Sequence, residues 1–235
     1  QGYSYSDETV RRFARLEPAA PDFRIFWDNA YGFIIYMPDQ DHLIEILAEC
    51  KRAGNPDLVY KFASTSKISF PGSGIAAIAT SQNLEDIKAQ LKNQTIGHDK
   101  VNQLRHVRFF KDIHGMVEHM RKHADIIRPK FEAVEEIRKE ELGGLGSENG
   151  LSQGGYFISF DSLDGCAKDI VARCKKAGVV MTGAGATYPY GKDPHDSNIR
   201  IAPSYPTPEE LAKACEIFVL SVKLVSIDKI LESKS

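Results

Sequence analysis

The alternation of apolar and polar residues in the first third of the chain predicts strands and helices in turn. Residues 24–27 and 58–63 are typical of buried strands, and residues 41–53 between them show helical spacing that stops at Gly54. Another apolar strand, 75–79, follows a glycine-containing turn. This succession predicts the α/β fold class.

The middle of the chain predicts helices. Residues 83–93 form one predicted helix, and residues 100–139 form long helical segments. We expect a break near Arg128-Pro129, because proline lacks a backbone N–H and restricts the residue before it. This region therefore looks like a connector between two lobes.

The last third of the chain predicts a second, α+β lobe from roughly residue 120 onward. Strands are expected at 155–160 and 198–202, with a helix at 165–177 between them. Thr207 and Glu210 form a capping box that opens a final helix. That helix carries apolar residues every three or four positions, at Leu211, Cys215, Phe218, Val222 and Val225.

Composition and charge argue against two classes of partner, nucleic acid and membrane. The 235 residues are 42% hydrophobic and 26% charged, as in ordinary globular proteins, and the formal net charge is −2. Such a chain has no general attraction to nucleic acid or to an anionic membrane. Its apolar runs are far shorter than the ~20 residues that span a bilayer. We therefore expect neither nucleic acid nor membrane as a partner.

Cysteine and histidine patterns suggest no metal or disulfide chemistry. The four cysteines contain no Cys-x-x-Cys pair, which favours a reducing, cytoplasmic setting, and Cys166 and Cys174 read as small buried apolar residues. His114, His119 and His123 are interpreted as a solvated helix face, because no further ligands are placed near them.

Three side chains near predicted strand ends could meet in one pocket. Asp28 ends one strand, Tyr31 lies three residues beyond it, and Lys67 follows the end of another strand. In open α/β sheets, ligands bind outside the carboxyl ends of the strands. A carboxylate, a phenol and an amine together suit a pyridine cofactor.

Pyridoxal phosphate is the pyridine cofactor that this set fits. It needs a lysine amine for a Schiff base, a carboxylate for its ring nitrogen and a donor beside its phenolate oxygen. Lys67, Asp28 and Tyr31 would fill these roles in that order. Ser64, Ser66 and turn amides could bind the phosphate.

Four motifs in register give the chain a family resemblance. They are Asp28-Asn29-Ala30-Tyr31, Ser64-Thr65-Ser66-Lys67, Gly154-Gly155-Tyr156-Phe157 and Asn198-Ile199-Arg200. These motifs occur in the order and approximate spacing of a known family. The chain therefore resembles the fold-type I pyridoxal-phosphate aminotransferases of class I, in a divergent branch related to aspartate aminotransferase.

The resemblance implies a domain division and a reaction. Residues 1–119 would be the carboxyl-terminal portion of a large cofactor-binding domain, with a mixed sheet and flanking helices, and residues 120–235 a small α+β domain. Lys67 would be the Schiff-base lysine and Arg200 would clamp the substrate α-carboxylate. Relatives are typically homodimers that move an amino group from an amino acid to a 2-oxo acid.

The chain departs from the family pattern in two ways. The family usually has a phosphate-binding arginine seven or eight residues after the lysine, where this chain has Gly74 and Ile75. In addition, Gln1-Gly2 looks like the end of an Asn-Pro-x-Gly turn in the middle of full-length relatives. We therefore expect the chain to represent the carboxyl-terminal half of an aminotransferase.

Two alternatives remain open from the sequence. A decarboxylase or lyase could use the same cofactor and scaffold, since the reaction depends on which α-carbon bond is aligned. The half-chain could also be a catalytically silent binding or regulatory module.

Overall fold

The computed structural model describes residues 4–31, 44–143 and 156–234. These residues divide into two compact units. The first unit contains residues 4–31 and 44–122, and the second contains residues 123–143 and 156–234. The assignment of residues 1–119 to the carboxyl-terminal portion of a large cofactor-binding domain, and of residues 120–235 to a small domain, stays a prediction.

A mixed three-stranded sheet organises the first unit. Strand β1 (Ile25–Asp28) pairs in parallel with β2 (Val59–Ser64), which pairs antiparallel with β3 (Ala76–Ala79). The sheet order is β1-β2-β3. Each strand lies within one residue of its predicted position, so the predicted α/β class is confirmed.

Two helices cover one face of this sheet. Helix α1 (Asp7–Ala14) begins after Ser6, whose side chain accepts a hydrogen bond from the Thr9 amide. Helix α2 (Ile46–Arg52) lies between β1 and β2 in the chain. Helix α1 was not predicted from the sequence. The core between helices and sheet contains Val10, Ala14, Ile46, Cys50, Leu58 and Val59.

Helices α3 (Leu84–Gln94) and α4 (Lys100–Phe110) follow the sheet, and α5 (Ile113–Leu142) extends past the boundary between the units. The predicted break at Arg128-Pro129 is wrong, because α5 continues through Pro129. The interruption lies instead at Lys111, which has a positive φ of 63°. Asp112 then accepts a hydrogen bond from the Gly115 amide, 2.9 Å away, and starts the new helix.

The second unit combines an antiparallel strand pair with helices. Strand β4 (Ile158–Asp161) pairs with β5 (Asn198–Ile201). Between them lie α6 (Ala167–Lys176) and a short 3₁₀ turn (Pro189–Gly191), and α7 (Pro208–Glu232) follows β5. The predicted capping box of α7 is present: Thr207 and Glu210 exchange side-chain and backbone hydrogen bonds.

One face of the β4–β5 pair enters the core of the second unit. Phe160 packs edge-on against Phe218 of α7, with ring centroids 5.2 Å apart. The predicted apolar positions of α7 are buried, as are all four cysteines, which form no disulfide. The opposite face of the strand pair carries the polar residues Ser159, Asp161, Asn198 and Arg200.

The described part of the chain contains no helix long and apolar enough to cross a membrane. The Gln1-Gly2 pair and the first two residues of the Gly154–Phe157 motif lie outside the described residues.

Candidate active site at the carboxyl ends of β1 and β2

The carboxyl ends of the parallel strands β1 and β2 bring candidate residues to one edge of the sheet. Asp28 is the last residue of β1 and is in register with Phe62 of β2. The Asn29 amide continues the pairing by donating to the Phe62 carbonyl at 2.8 Å. Ser64 ends β2 two residues later, and Lys67 lies three residues beyond it.

The Asp28 side chain lies on the sheet face opposite α1 and α2. Along β1, Ile25 and Trp27 pack against the core. Phe26 and Asp28 lie on the other face, because successive side chains of a strand point to opposite faces. Phe26 is 72% exposed and stacks on Phe62, with ring centroids 5.5 Å apart. Asp28 is exposed as well, and its Oδ1 accepts a hydrogen bond from the Ala30 amide at 3.1 Å.

Lys67 lies in a tight turn whose backbone is well hydrogen-bonded. The amides of Ile68 and Ser69 both donate to the Thr65 carbonyl, at 2.9 and 2.8 Å. Lys67 is exposed, while Ser64 and Ser66 are half-buried beside it. Tyr31, the other predicted member of the set, is half-buried three residues after Asp28.

Gly74 occupies one of the two positions at which the family resemblance led us to look for an arginine. A Cβ atom added to Gly74 would lie 2.8 Å from the Ser66 nitrogen and 2.9 Å from its Cα. Such distances are shorter than side chains tolerate, so glycine allows the two backbone segments to approach. Packing against the lysine turn therefore requires glycine at position 74.

Two histidines for which no role was predicted contact this turn. His106 of α4 is 7% exposed and reaches the hydroxyls of Thr65 and Ser69. His119 of α5 is half-buried, with Nε2 2.9 Å from the Ile68 carbonyl oxygen. The prediction of a solvated face is therefore wrong for His119. Helical spacing could not reveal these contacts, because the loop partners are 37 to 51 residues away in the chain.

Arg200 lies in the second unit, on the polar face of the β4–β5 pair. It is in register with Ser159, and its guanidinium carbon lies 4.4 Å from the centroid of the Phe157 ring. Asn198, two residues earlier on the same face, donates to Ser159 Oγ at 2.9 Å and to Asp161 Oδ1 at 2.6 Å. Asn198, which the sequence indicated only as part of the Asn198-Ile199-Arg200 motif, thus ties β5, the strand that carries Arg200, to β4.

The loop before β5 is held by one carboxylate. Asp193 accepts hydrogen bonds from the amides of His195, Ser197 and Asn198, at 2.8 to 3.0 Å. Burial acts to raise the pKa of Asp193, but these backbone donors outweigh it, so the pKa lies below its ordinary value. Asp193 therefore fixes the start of the strand that carries Arg200.

No group of three or more potential metal ligands occurs within residues 4–31, 44–143 and 156–234. The chemistry at the sheet edge is instead that of an amine, a carboxylate and hydroxyl groups. This set can hold a carbonyl compound covalently, a cationic ring nitrogen and a phosphate.

Comparison with known proteins agrees with this chemistry. The family model described as aspartate amino-transferase matches residues 1–234. The aspartate aminotransferase of Corynebacterium glutamicum is 38% identical over 229 residues, which are 97% of this chain and 53% of that protein. A Mycolicibacterium smegmatis protein, provisionally named an aminotransferase, is 39% identical over 99% of this chain and 55% of that protein.

Solved structures agree with the sequence relatives. An aspartate transaminase structure from Corynebacterium glutamicum superposes with a TM-score of 0.92 at 38% identity, covering 97% of this chain and 54% of that one. The chain thus spans about half the length of the relatives it matches. Since the family model covers almost every residue, the chain belongs to the aspartate aminotransferase family.

Proposed function

We propose that this chain is the carboxyl-terminal half of a pyridoxal-phosphate-dependent aminotransferase that acts on aspartate or a related amino acid and a 2-oxo acid. The observation that carries the proposal is the common position of Asp28 and Ser64 at the ends of adjacent parallel strands, with Lys67 in the turn that follows. Family membership supports the same reaction.

Pyridoxal phosphate, when bound, supplies an aldehyde that takes up the amino group and a ring that withdraws electrons from the substrate α-carbon. Lys67 would hold the cofactor through its amine and, once displaced by substrate, move a proton with its Nζ atom. Asp28 would keep the ring nitrogen protonated, and Tyr31 would donate to the phenolate oxygen.

The lysine turn offers a surface for the phosphate group. Ser64 and Ser66 would contribute hydroxyls, and the close approach of the Gly74 backbone to Ser66 leaves no side chain between them. Backbone amides and hydroxyls can bind phosphate without a large positive charge. This supports cofactor binding without the arginine that the resemblance led us to expect.

Arg200 would bind the substrate α-carboxylate. Its planar guanidinium matches a carboxylate with two parallel hydrogen bonds. Stacking near Phe157 and the hydrogen bonds of Asn198 restrict the strand that presents it. Fixing the carboxylate would orient the α-carbon bond that is broken, which favours deprotonation.

A homodimer in the cytoplasm is part of the same proposal. The homodimer follows from the family resemblance, and light scattering of the purified full-length protein tests it. The location rests on the cysteine pattern of the sequence, which has four cysteines and no Cys-x-x-Cys pair, and fractionation of the source cells tests it.

The decisive experiment replaces Lys67 in the full-length protein that carries this sequence. With pyridoxal phosphate, aspartate and 2-oxoglutarate, we expect Lys67→Ala to lower kcat at least about a hundredfold, because the proton-transfer group is lost. Borohydride treatment of the wild-type protein should attach the cofactor to Lys67, as read by peptide mass spectrometry.

Lys88→Ala is the matched control, because Lys88 is an exposed lysine that pairs with Glu85 on α3. It should keep full activity. A Lys67→Ala protein that still transaminates at the wild-type rate would contradict the proposal. Release of carbon dioxide or ammonia in place of amino transfer would identify a decarboxylase or lyase instead.

A further inference from the structure

We define residues 64–75 as the lysine loop. The buried side chain of His106, on α4, contacts two residues of this loop. His106 Nε2 lies 3.0 Å from Thr65 Oγ1 and 2.8 Å from Ser69 Oγ. Its Nδ1 lies 2.9 Å from the carbonyl oxygen of Asn102, one helical turn earlier. In the sequence, Lys67 lies between Thr65 and Ser69. His106 therefore contacts a residue on each side of the lysine.

The partners of His106 define its tautomer. A carbonyl oxygen can only accept, so Nδ1 carries the hydrogen that bonds to Asn102. Thr65 Oγ1 already accepts the Ile75 amide at 2.9 Å, which leaves its own hydrogen to donate to His106 Nε2. The Ser69 hydroxyl, which lies 2.8 Å from Nε2, also donates to the Thr65 carbonyl oxygen at 3.0 Å, so it is bonded within the loop as well.

Thr65 joins the two ends of the lysine loop. Its amide donates to the Ile75 carbonyl at 2.8 Å, and its hydroxyl accepts the Ile75 amide. These two bonds bring Gly74 against Ser66. By fixing the Thr65 hydroxyl, His106 thus fixes the relative position of the two segments proposed to hold the phosphate and the amine.

Other contacts hold the same loop at neighbouring points. Asn102 of α4 donates through Nδ2 to the Ser73 carbonyl at 2.6 Å. His119 donates through Nε2 to the carbonyl of Ile68, a residue that is 2% exposed. The loop is therefore attached to α4 and α5 at Thr65, Ile68, Ser69 and Ser73.

We propose that His106 is a positioning residue: it holds Thr65 and Ser69 so that the Lys67 amine is kept in the place where proton transfer occurs. His106 acts through the loop and does not touch the substrate. This inference rests on the proposed function of Lys67, but the anchoring of the loop can be measured without activity.

A matched pair of variants in the full-length protein tests the inference. His106→Leu removes the contacts of Nε2 with the half-buried hydroxyls of Thr65 and Ser69, whereas the amide oxygen of His106→Gln can replace Nε2. We expect His106→Leu to lower kcat about 10- to 100-fold, because misplacement of a reacting group slows the reaction. The KM for aspartate should change less than about threefold, since Arg200 is untouched, and His106→Gln should recover most of kcat.

Hydrogen exchange supplies the readout that needs no activity. The amides of Thr65, Ile68, Ser69 and Ile75 are all hydrogen-bonded, so peptides covering the lysine loop should be protected in the wild-type protein. His106→Leu should lose this protection and His106→Gln should keep it. His114→Ala is the control, because His114 is an exposed histidine on α5, and it should match the wild type.

Thr65→Val and Ser69→Ala, which remove one hydroxyl each, replace His106→Leu if that variant does not fold, and they should reproduce its loss of kcat and protection. Unchanged loop protection would overturn the inference, as would lost protection with an unchanged kcat. If the wild-type protein shows no amino transfer, the proposed function fails, while the exchange data still decide whether His106 anchors the loop.

Discussion

Arg200 illustrates, at the scale of single residues, how the position of a proposed substrate-binding side chain depends on polar neighbours. Asn198 bonds Ser159 and Asp161 across the strand pair, and it accepts a hydrogen bond from Thr187 at 2.6 Å. Asp193 holds the preceding loop through three amides. The strand that presents Arg200 is thus fixed by groups that need not contact the substrate.

Asp193→Ala should lower the thermal midpoint of the second unit at neutral pH. Three amides lose their acceptor, which costs about 2 kcal/mol. Because the pKa of Asp193 is depressed in the folded chain, its contribution is present above the ordinary aspartate pKa of about 3.9 and is lost as pH falls through the folded value.

The difference in midpoint between wild type and Asp193→Ala should therefore be largest near pH 7 and shrink below about pH 4. Thermal unfolding followed by circular dichroism measures it. Asp125→Ala, at an exposed position on α5, is the control and should leave the midpoint unchanged at neutral pH. A midpoint difference that grows in acid would contradict the assigned role.

Helix α5 shows, at the scale of elements, how packing overrides a local signal. Proline removes a hydrogen-bond donor from the helix interior, and on that basis we expected a break at Pro129. The structure continues the helix because Ala124 and Ile127 before the proline, and Phe131 and Val134 after it, are all buried. A continuous buried stripe outweighs the loss of one backbone hydrogen bond.

Replacing this proline should stabilise the protein. Pro129 is exposed and lies inside α5, so Pro129→Ala restores a backbone donor without disturbing the core. We expect the free energy of unfolding to rise by about 2 kcal/mol, as judged from helix propensities. Denaturant unfolding measures the change, with Glu132→Ala, at an exposed position one turn later, as the control. A destabilised Pro129→Ala protein would show that the proline serves packing or function.

The chain as a whole covers about half the length of its relatives, and the first unit presents an apolar sheet face consistent with this. Phe26, which is 72% exposed, stacks on Phe62 on the face that also carries Asp28. Strands β1 and β3 each have one strand neighbour among the described residues. Exposed apolar patches of this kind mark surfaces that other segments cover.

We therefore predict that the 235-residue chain alone binds pyridoxal phosphate more weakly than the full-length protein. Titration of the cofactor absorbance should give a dissociation constant at least about tenfold higher for the isolated chain, which corresponds to about 1.4 kcal/mol of lost contacts. Equal affinity would show that the 235-residue chain forms the cofactor site by itself. It would also argue against a catalytically silent module.

The sequence by itself determined the strands, the capping box and the identity of the candidate residues. These features depend on local periodicity and on residue chemistry, so strands β1 to β3 appeared within one residue of their predicted bounds. The positions of Asp28 and Lys67 after strand ends were predicted from the same periodicity, whereas the parallel pairing that puts Asp28 beside β2 comes from the structure.

Only the tertiary structure decided what holds Lys67 and Arg200 in place. His106 and Ser69 are 37 residues apart, and Asn198 and Asp161 also 37, so no local pattern links them. The continuity of α5 through Pro129 was likewise decided by burial on both sides of the proline. Long-range hydrogen bonds and packing set these positions, because they arise only when distant segments meet in the folded chain.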